Sequence, residues 1–257
     1  MTTIADFMER KDHSVRHITL IDPGKQSSEV AAGRAVAAVA AGSSMIFVGG
    51  STDTPNEVVH ETCLAIQQAL EGESSNETGE NKPPVVLFPG GAHALSPAAD
   101  GILFMMLMNS TDARFLIGEQ ANGAPYIEQF GIEPIPSGYI VAAPGGEVGR
   151  VGSADLIEPD QIERVYQYAL AAKMYGFRVL YLEAGSGAHT PVSVELIQAA
   201  KRVEGLTLVV GGGLRTPADV SKAAEAGADW VVTGTITEEE QDYSQLGMRL
   251  SEMISVL

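Results

Sequence analysis

Tyr181-Leu182-Glu183-Ala184-Gly185-Ser186-Gly187 is the stretch on which the reading of this chain turns. Arg178-Val179-Leu180, just before it, is short, apolar and followed by glycine, the pattern of a buried strand. Glu183 falls at the end of that strand, and Tyr181, two residues earlier, shares its face. Gly185-Ser186-Gly187 then opens a loop whose backbone amides can face an anion. Together they suit a site that holds a phosphate and removes a proton beside it. The pattern recurs at Gly211-Gly212-Gly213 after Leu208-Val209-Val210, and at Gly234-Thr235 after Val231-Val232-Thr233. One such turn needs only a residue free of steric limits. Three successive strands ending this way point to one phosphate pocket built from three loops.

Working outward, further short apolar runs occur at 17–21, 45–48, 85–88, 102–108 and 135–141. Helical spacing covers 27–41, 54–70, 113–130 (with a possible break at Asn122-Gly123-Ala124-Pro125), 159–175, 217–226 and 243–253. Pro191 suits the first turn of a helix after the sixth strand. The segment after the third strand, from Pro89-Gly90-Gly91, is too rich in Pro, Ala and Gly for a good helix. Residues 143–152 read as a long glycine-rich loop. Eight strands alternating with helices, at about 30 residues per unit, predict an α/β fold of the (β/α)8 TIM-barrel class with a reduced or irregular third helix. An open doubly wound sheet would gather its polar loops at one switch point, whereas here they follow at least six strands. The expected organisation is one barrel domain over 1–257, with a polar surface excursion at about 71–83.

The composition narrows the function. Apolar residues are 45% of the 257, which favours a folded core over disorder. A net charge of -17 with scattered Lys and Arg argues against nucleic-acid partners and against a polybasic lipid patch. Cys63 is the only cysteine, so neither an intrachain disulfide nor a thiolate metal cluster is available. The first eleven residues are polar and charged, and the longest apolar run, 102–108, is too short to cross a bilayer. The expectation is a soluble, cytoplasmic protein. A dinucleotide fingerprint is absent, because Gly185-Ser186-Gly187-Ala188-His189-Thr190 lacks the third glycine at the required spacing.

Asp22 ends the first strand and Ser51 follows the second. One carboxylate and one hydroxyl, completed by water and phosphate oxygens, is a common way to hold Mg²⁺, although Asp-Pro after a strand is also an ordinary turn. Lys25 stands close enough in sequence to neutralise a second anionic group. The five histidines show no zinc-like spacing, and His17 reads as barrel packing. Tyr139, on the fifth strand, is a second aromatic candidate.

At this point the chain resembles a known family, that of geranylgeranylglyceryl phosphate synthase and the related bacterial heptaprenylglyceryl phosphate synthase. The matching stretches are His17-Ile18-Thr19-Leu20-Ile21-Asp22-Pro23, Gly49-Gly50-Ser51, Phe88-Pro89-Gly90, Tyr139-Ile140-Val141 with Pro144-Gly145-Gly146, and Tyr181 through Ala188. Gly211-Gly212-Gly213-Leu214-Arg215, Ala226-Gly227-Ala228-Asp229 and Val232-Thr233-Gly234-Thr235 complete them, in the family's order. The resemblance implies an archaeal ether-lipid prenyltransferase acting on sn-glycerol 1-phosphate and geranylgeranyl diphosphate. It also implies Mg²⁺ on Asp22 and Ser51, and glycerol phosphate held by Tyr181, Leu182, Glu183, Ala184, Gly185, Ser186, Gly187, Gly212, Gly213, Gly234 and Thr235. Glu183 would be the general base and Tyr181 a positioning group. Leu20 stands where some members carry a basic residue, and Thr235 where many carry Asn. Homo-oligomerisation and peripheral membrane contact are expected too. Phe104, Met106, Met108 and Tyr139 are candidates for a prenyl groove. The rivals are an enzyme of another prenyl length, a phosphate-binding barrel isomerase or lyase, and a non-catalytic glycerol phosphate sensor.

Overall fold

A computed structural model describes residues 3–9, 15–50, 53–74 and 82–257, with the side chains of 73 and 74 left aside. The predicted position Ser51 lies outside the described residues. Eight parallel strands pair in sequence order and close, β1 against β8, into a barrel. They are β1 (Arg16–Ile21), β2 (Met45–Gly49), β3 (Val85–Phe88), β4 (Gly101–Leu107), β5 (Glu133–Val141), β6 (Val179–Glu183), β7 (Thr207–Gly211) and β8 (Trp230–Thr233).

Period-two alternation sends one set of strand residues into the barrel and the other toward the helices. Ile18, Phe47, Val86, Leu103, Tyr181 and Val209 fill the interior, while Ile46, Leu87, Leu182, Leu208 and Val231 pack under the outer shell. That shell comprises α2 (Ser28–Ala40), α3 (Asn56–Ser74), α4 (Glu119–Phe130), α6 (Ile162–Met174), α7 (Val194–Lys201), α8 (Pro217–Ala226) and α10 (Tyr243–Ile254). No helix follows β3: residues 89–100 run as turns, as the sequence predicts. The excursion expected at about 71–83 starts within α3, and 75–81 lie outside the described residues.

Three short helices are additions to the sequence reading. α1 (Ile4–Glu9) closes the bottom of the barrel, with Met8 buried and its carbonyl accepting from Trp230 Nε1 at 3.0 Å. Arg16 stacks over the Trp230 ring at 3.9 Å. α5 (Gly146–Val151) replaces much of the expected loop after β5, and α9 (Thr235–Glu239) follows β8. Two local expectations are corrected. α4 runs unbroken through Pro125, which sits on its exposed face, where the carbonyl the ring leaves without a partner is open to solvent. Pro191 precedes α7 rather than opening it; Ser193 is the cap, accepting from Leu196 N at 3.3 Å. His17 is buried between Ser43 Oγ (2.8 Å) and Thr233 Oγ1 (2.9 Å), a packing role as expected.

Candidate active site

The strand ends converge on one cleft of about 1360 Å³, counting the space open at its mouth. Asp22, Tyr181, Glu183, Ser186, Gly187, Gly212, Gly213, Gly234 and Thr235 all line it, so most of the sequence-predicted site is brought together. Leu182 and Ala184 are not part of it. They have the opposite parity from Glu183 and pack under the helices. Ala184 also has both backbone groups engaged, N to Gly211 O and O from Gly145 N. Of the predicted substrate-holding segment, these two side chains therefore point away from the cleft.

Tyr181 and Glu183 share the inner face of β6, and Tyr139 lies beside Tyr181 in the register of β5. The two tyrosine rings meet edge to face at 5.1 Å, and Phe88 stacks on Tyr181 at 5.3 Å. Glu183 is 5% exposed, and burial pushes its carboxyl up to about 7. The Gly185 N–H and the hydroxyls of Tyr181 and Tyr139 pull the other way without cancelling the effect. Burial, then the nearby Glu183 charge, raises both tyrosines well above their usual range, so they remain neutral donors. The Tyr181 hydroxyl is close enough to favour the Glu183 carboxylate, yet it meets no acceptor at full hydrogen-bond geometry among the described residues. A buried hydroxyl of this kind is available to a ligand.

Gly185 is fixed by what it touches. Its φ is +112°, and a Cβ there would fall 2.4 Å from the Gly145 carbonyl carbon, so the loops after β5 and β6 meet backbone to backbone. Its N–H donates to Glu183 Oε1 at 2.7 Å, so this amide is spent on the carboxylate rather than on an anion. The amides of Ser186, Gly187 and Gly213 reach no protein acceptor among the described residues, which is how backbone amides that meet an anion are left. Arg215 binds the rim together, donating to the Gly187 and Ala188 carbonyls and pairing with Glu239 at 2.8 Å.

Asp22, at the end of β1, is buried, with Oδ1 accepting from Gly24 N at 2.9 Å and Oδ2 3.9 Å from Lys25 Nζ. A Cβ at Gly50 would fall 2.3 Å from Oδ2, so only glycine there leaves the carboxylate room. Lys25 is engaged by Glu238 through both carboxylate oxygens at 2.8 Å. The described residues contain no cluster of three or more His, Cys, Asp or Glu suited to a metal.

From the mouth the cleft continues through the gap left after β3, against Leu95, Ile102, Phe104, Gly123 and Ile127. Phe104 and Tyr139 line it, but Met106 and Met108 fall outside. Sequence reasoning missed Met105, whose parity turns it inward with Leu103 and Leu107; strict alternation along β4 was the signal that could have found it.

The PcrB family model matches residues 7–253. The chain belongs to the PcrB family. Among its relatives, the geranylgeranylglyceryl phosphate synthase of Methanococcoides burtonii is 43% identical over 242 residues, covering 94% of this chain and 92% of that one. The same-named protein of Thermoplasma volcanium is 40% identical over 257 residues, covering 100% and 98%. A crystal structure of (S)-3-O-geranylgeranylglyceryl phosphate synthase from Thermoplasma acidophilum, in complex with sn-glycerol-1-phosphate, superposes with a TM-score of 0.90. It is 37% identical and covers 100% of this PcrB-family chain and 98% of its own. No described helix is long and apolar enough to cross a membrane.

Proposed function

We propose that this chain is a Mg²⁺-dependent prenyltransferase that moves a geranylgeranyl group from geranylgeranyl diphosphate to the C3 hydroxyl of sn-glycerol 1-phosphate. The observation that carries the reading is the continuity of one cleft. It joins free loop amides, a buried carboxylate between two tyrosines, and an apolar arm leading out through the missing helix. An isomerase or lyase of small phosphorylated substrates would have no use for that arm.

Ser186, Gly187 and Gly213 hold the glycerol phosphate by their amides, with Thr235 at the start of α9. This anchoring presents the C3 hydroxyl toward Glu183, and such orientation is a large part of what the enzyme contributes. Glu183 accepts the proton at a carboxylate oxygen as the hydroxyl oxygen bonds to the allylic carbon and diphosphate departs. Tyr181 and Tyr139 donate toward the carboxylate or the acceptor and keep it aligned. Asp22 would hold Mg²⁺ together with Ser51. A buried carboxylate that lines the cleft, with Lys25 Nζ 3.9 Å from its Oδ2, fits a cation that keeps water and takes phosphate oxygens as ligands. The bound ion supplies charge neutralisation of the leaving diphosphate. Phe104, Met105 and Ile127 shield the tail from water. A cytoplasmic, homo-oligomeric enzyme touching the membrane at its periphery completes the proposal.

The test is diphosphate release by the purified protein. It should require Mg²⁺, geranylgeranyl diphosphate and sn-glycerol 1-phosphate together. Release that ignores the acceptor, or no release with all three present, would overturn the assignment.

A further inference from the structure

α2 carries an arginine that the sequence did not single out. Arg34 is 3% exposed, and no carboxylate lies within ion-pair distance of it among the described residues. One guanidinium nitrogen donates to Gln26 Oε1, another to the backbone carbonyl of Glu240 at 3.1 Å, and Nε meets no acceptor. Burying a cation on neutral partners, with one donor left over, is unfavourable for stability alone. Its contacts show what it connects.

Gln26 passes the link on: its Nε2 donates to the Asp22 backbone carbonyl at 2.9 Å. Asp22 in turn fixes the same turn by accepting from Gly24 N. Glu240 directly follows α9, whose first residue, Thr235, lines the phosphate side of the cleft. Arg34 thus spans the turn at 22–26 and the end of α9 from inside the protein. On the solvent side Lys25 and Glu238 cross the same gap. The two sides do not depend on Arg34 equally. α9 is also held by Thr237 Oγ1 on the Leu20 carbonyl at 3.3 Å and by Glu239 on Arg215. Among these contacts, the inner tie of the Asp22 turn runs through Gln26 to Arg34.

We infer that Arg34 is a positioning residue which, through Gln26, sets the Asp22 turn against α9 and so fixes the diphosphate end of the donor relative to the anchored acceptor. This rests on the proposed prenyl transfer. Removing Arg34 lets the Asp22 turn drift while the glycerol phosphate cradle stays intact.

The experiment compares the wild-type protein with Arg34→Met, which keeps bulk without donors, Arg34→Lys, and Gln26→Leu, which cuts the relay but leaves Arg34. Three quantities are read: kcat with both substrates saturating, the Mg²⁺ concentration for half-maximal rate, and the Kd of sn-glycerol 1-phosphate by calorimetry without metal. Arg34→Met and Gln26→Leu should lose at least about tenfold in kcat and need several-fold more Mg²⁺, with the Kd within about threefold of wild type. Arg34→Lys, which reaches one acceptor, should recover part of kcat. Should Arg34→Met fail to fold, Gln26→Leu carries the same test on a half-exposed residue. Equal losses in kcat and in acceptor affinity would show a general structural role and overturn the inference. So would an unchanged kcat and Mg²⁺ requirement in both variants. A wild-type protein without transfer activity would instead contradict the proposed reaction, a separate outcome.

Discussion

A Cβ built on Gly212 would fall 2.0 Å from Glu183 Oε1. The loop after β7 therefore touches the carboxylate, and the two parts of the site cannot be altered independently. Gly212 also has φ +77°, a conformation that L side chains rarely adopt. Gly212→Ala should displace the carboxylate and strain the loop together. We expect kcat/KM for sn-glycerol 1-phosphate to fall by at least about tenfold, with kcat sharing the loss. A rise in KM alone would mean that residue 212 serves only the phosphate.

The raised carboxyl of Glu183 gives the rate a pH dependence. With both substrates saturating, kcat should climb as the group deprotonates around pH 7 and level off above it. The same shift has a stability consequence of opposite sense. The folded protein keeps a proton up to about 7 that the unfolded chain releases near 4.5, so stability falls as pH rises through that window. Glu183→Gln should be stabilised relative to wild type above pH 7, by up to about 3 kcal/mol, with the gap closing toward pH 4.5. Urea unfolding at the two pH values reads this directly; a constant difference would show that burial does not govern the group.

Asp22 follows β1, whereas the free loop amides follow β6 and β7. Asp22→Ala should abolish Mg²⁺-stimulated turnover while leaving the Kd of sn-glycerol 1-phosphate within about threefold, measured by calorimetry without metal. Parallel loss of both, with the circular dichroism unchanged, would contradict the separation of the two anion sites.

The barrel was legible because its strands are short apolar runs punctuated by glycine. Val85–Phe88, Pro217–Ala226 and Trp230–Thr233 fall where the pattern places them. The cleft residues on strand ends and loops were legible for the same reason. α1 was not, since six residues with a charged face carry too little periodicity, and only its contacts with Trp230 and Arg16 reveal its place. α5 hid in a run of glycines that reads as loop. Leu182 and Ala184 were included because they lie inside a motif, although strand parity turns them away from the cleft. Arg34 gave no signal at all: one arginine in an Ala-rich helix looks like solvated surface until its burial is seen.

Glu183 as the proton acceptor of prenyl transfer is the centre of this account, and a single-turnover experiment tests it most directly. Enzyme in excess, labelled sn-glycerol 1-phosphate, saturating geranylgeranyl diphosphate and Mg²⁺ are mixed, and the prenylated product is followed for wild type and Glu183→Gln at pH 8. The substitution keeps the shape of the side chain, and its amide oxygen can still accept from Gly185 N, but it cannot take the proton. We expect the wild-type protein to form geranylgeranylglyceryl phosphate and the variant to do so on the order of 10² to 10⁴ more slowly with both substrates bound. A variant rate within about threefold of wild type, or no prenylated product from the wild-type protein, would contradict it.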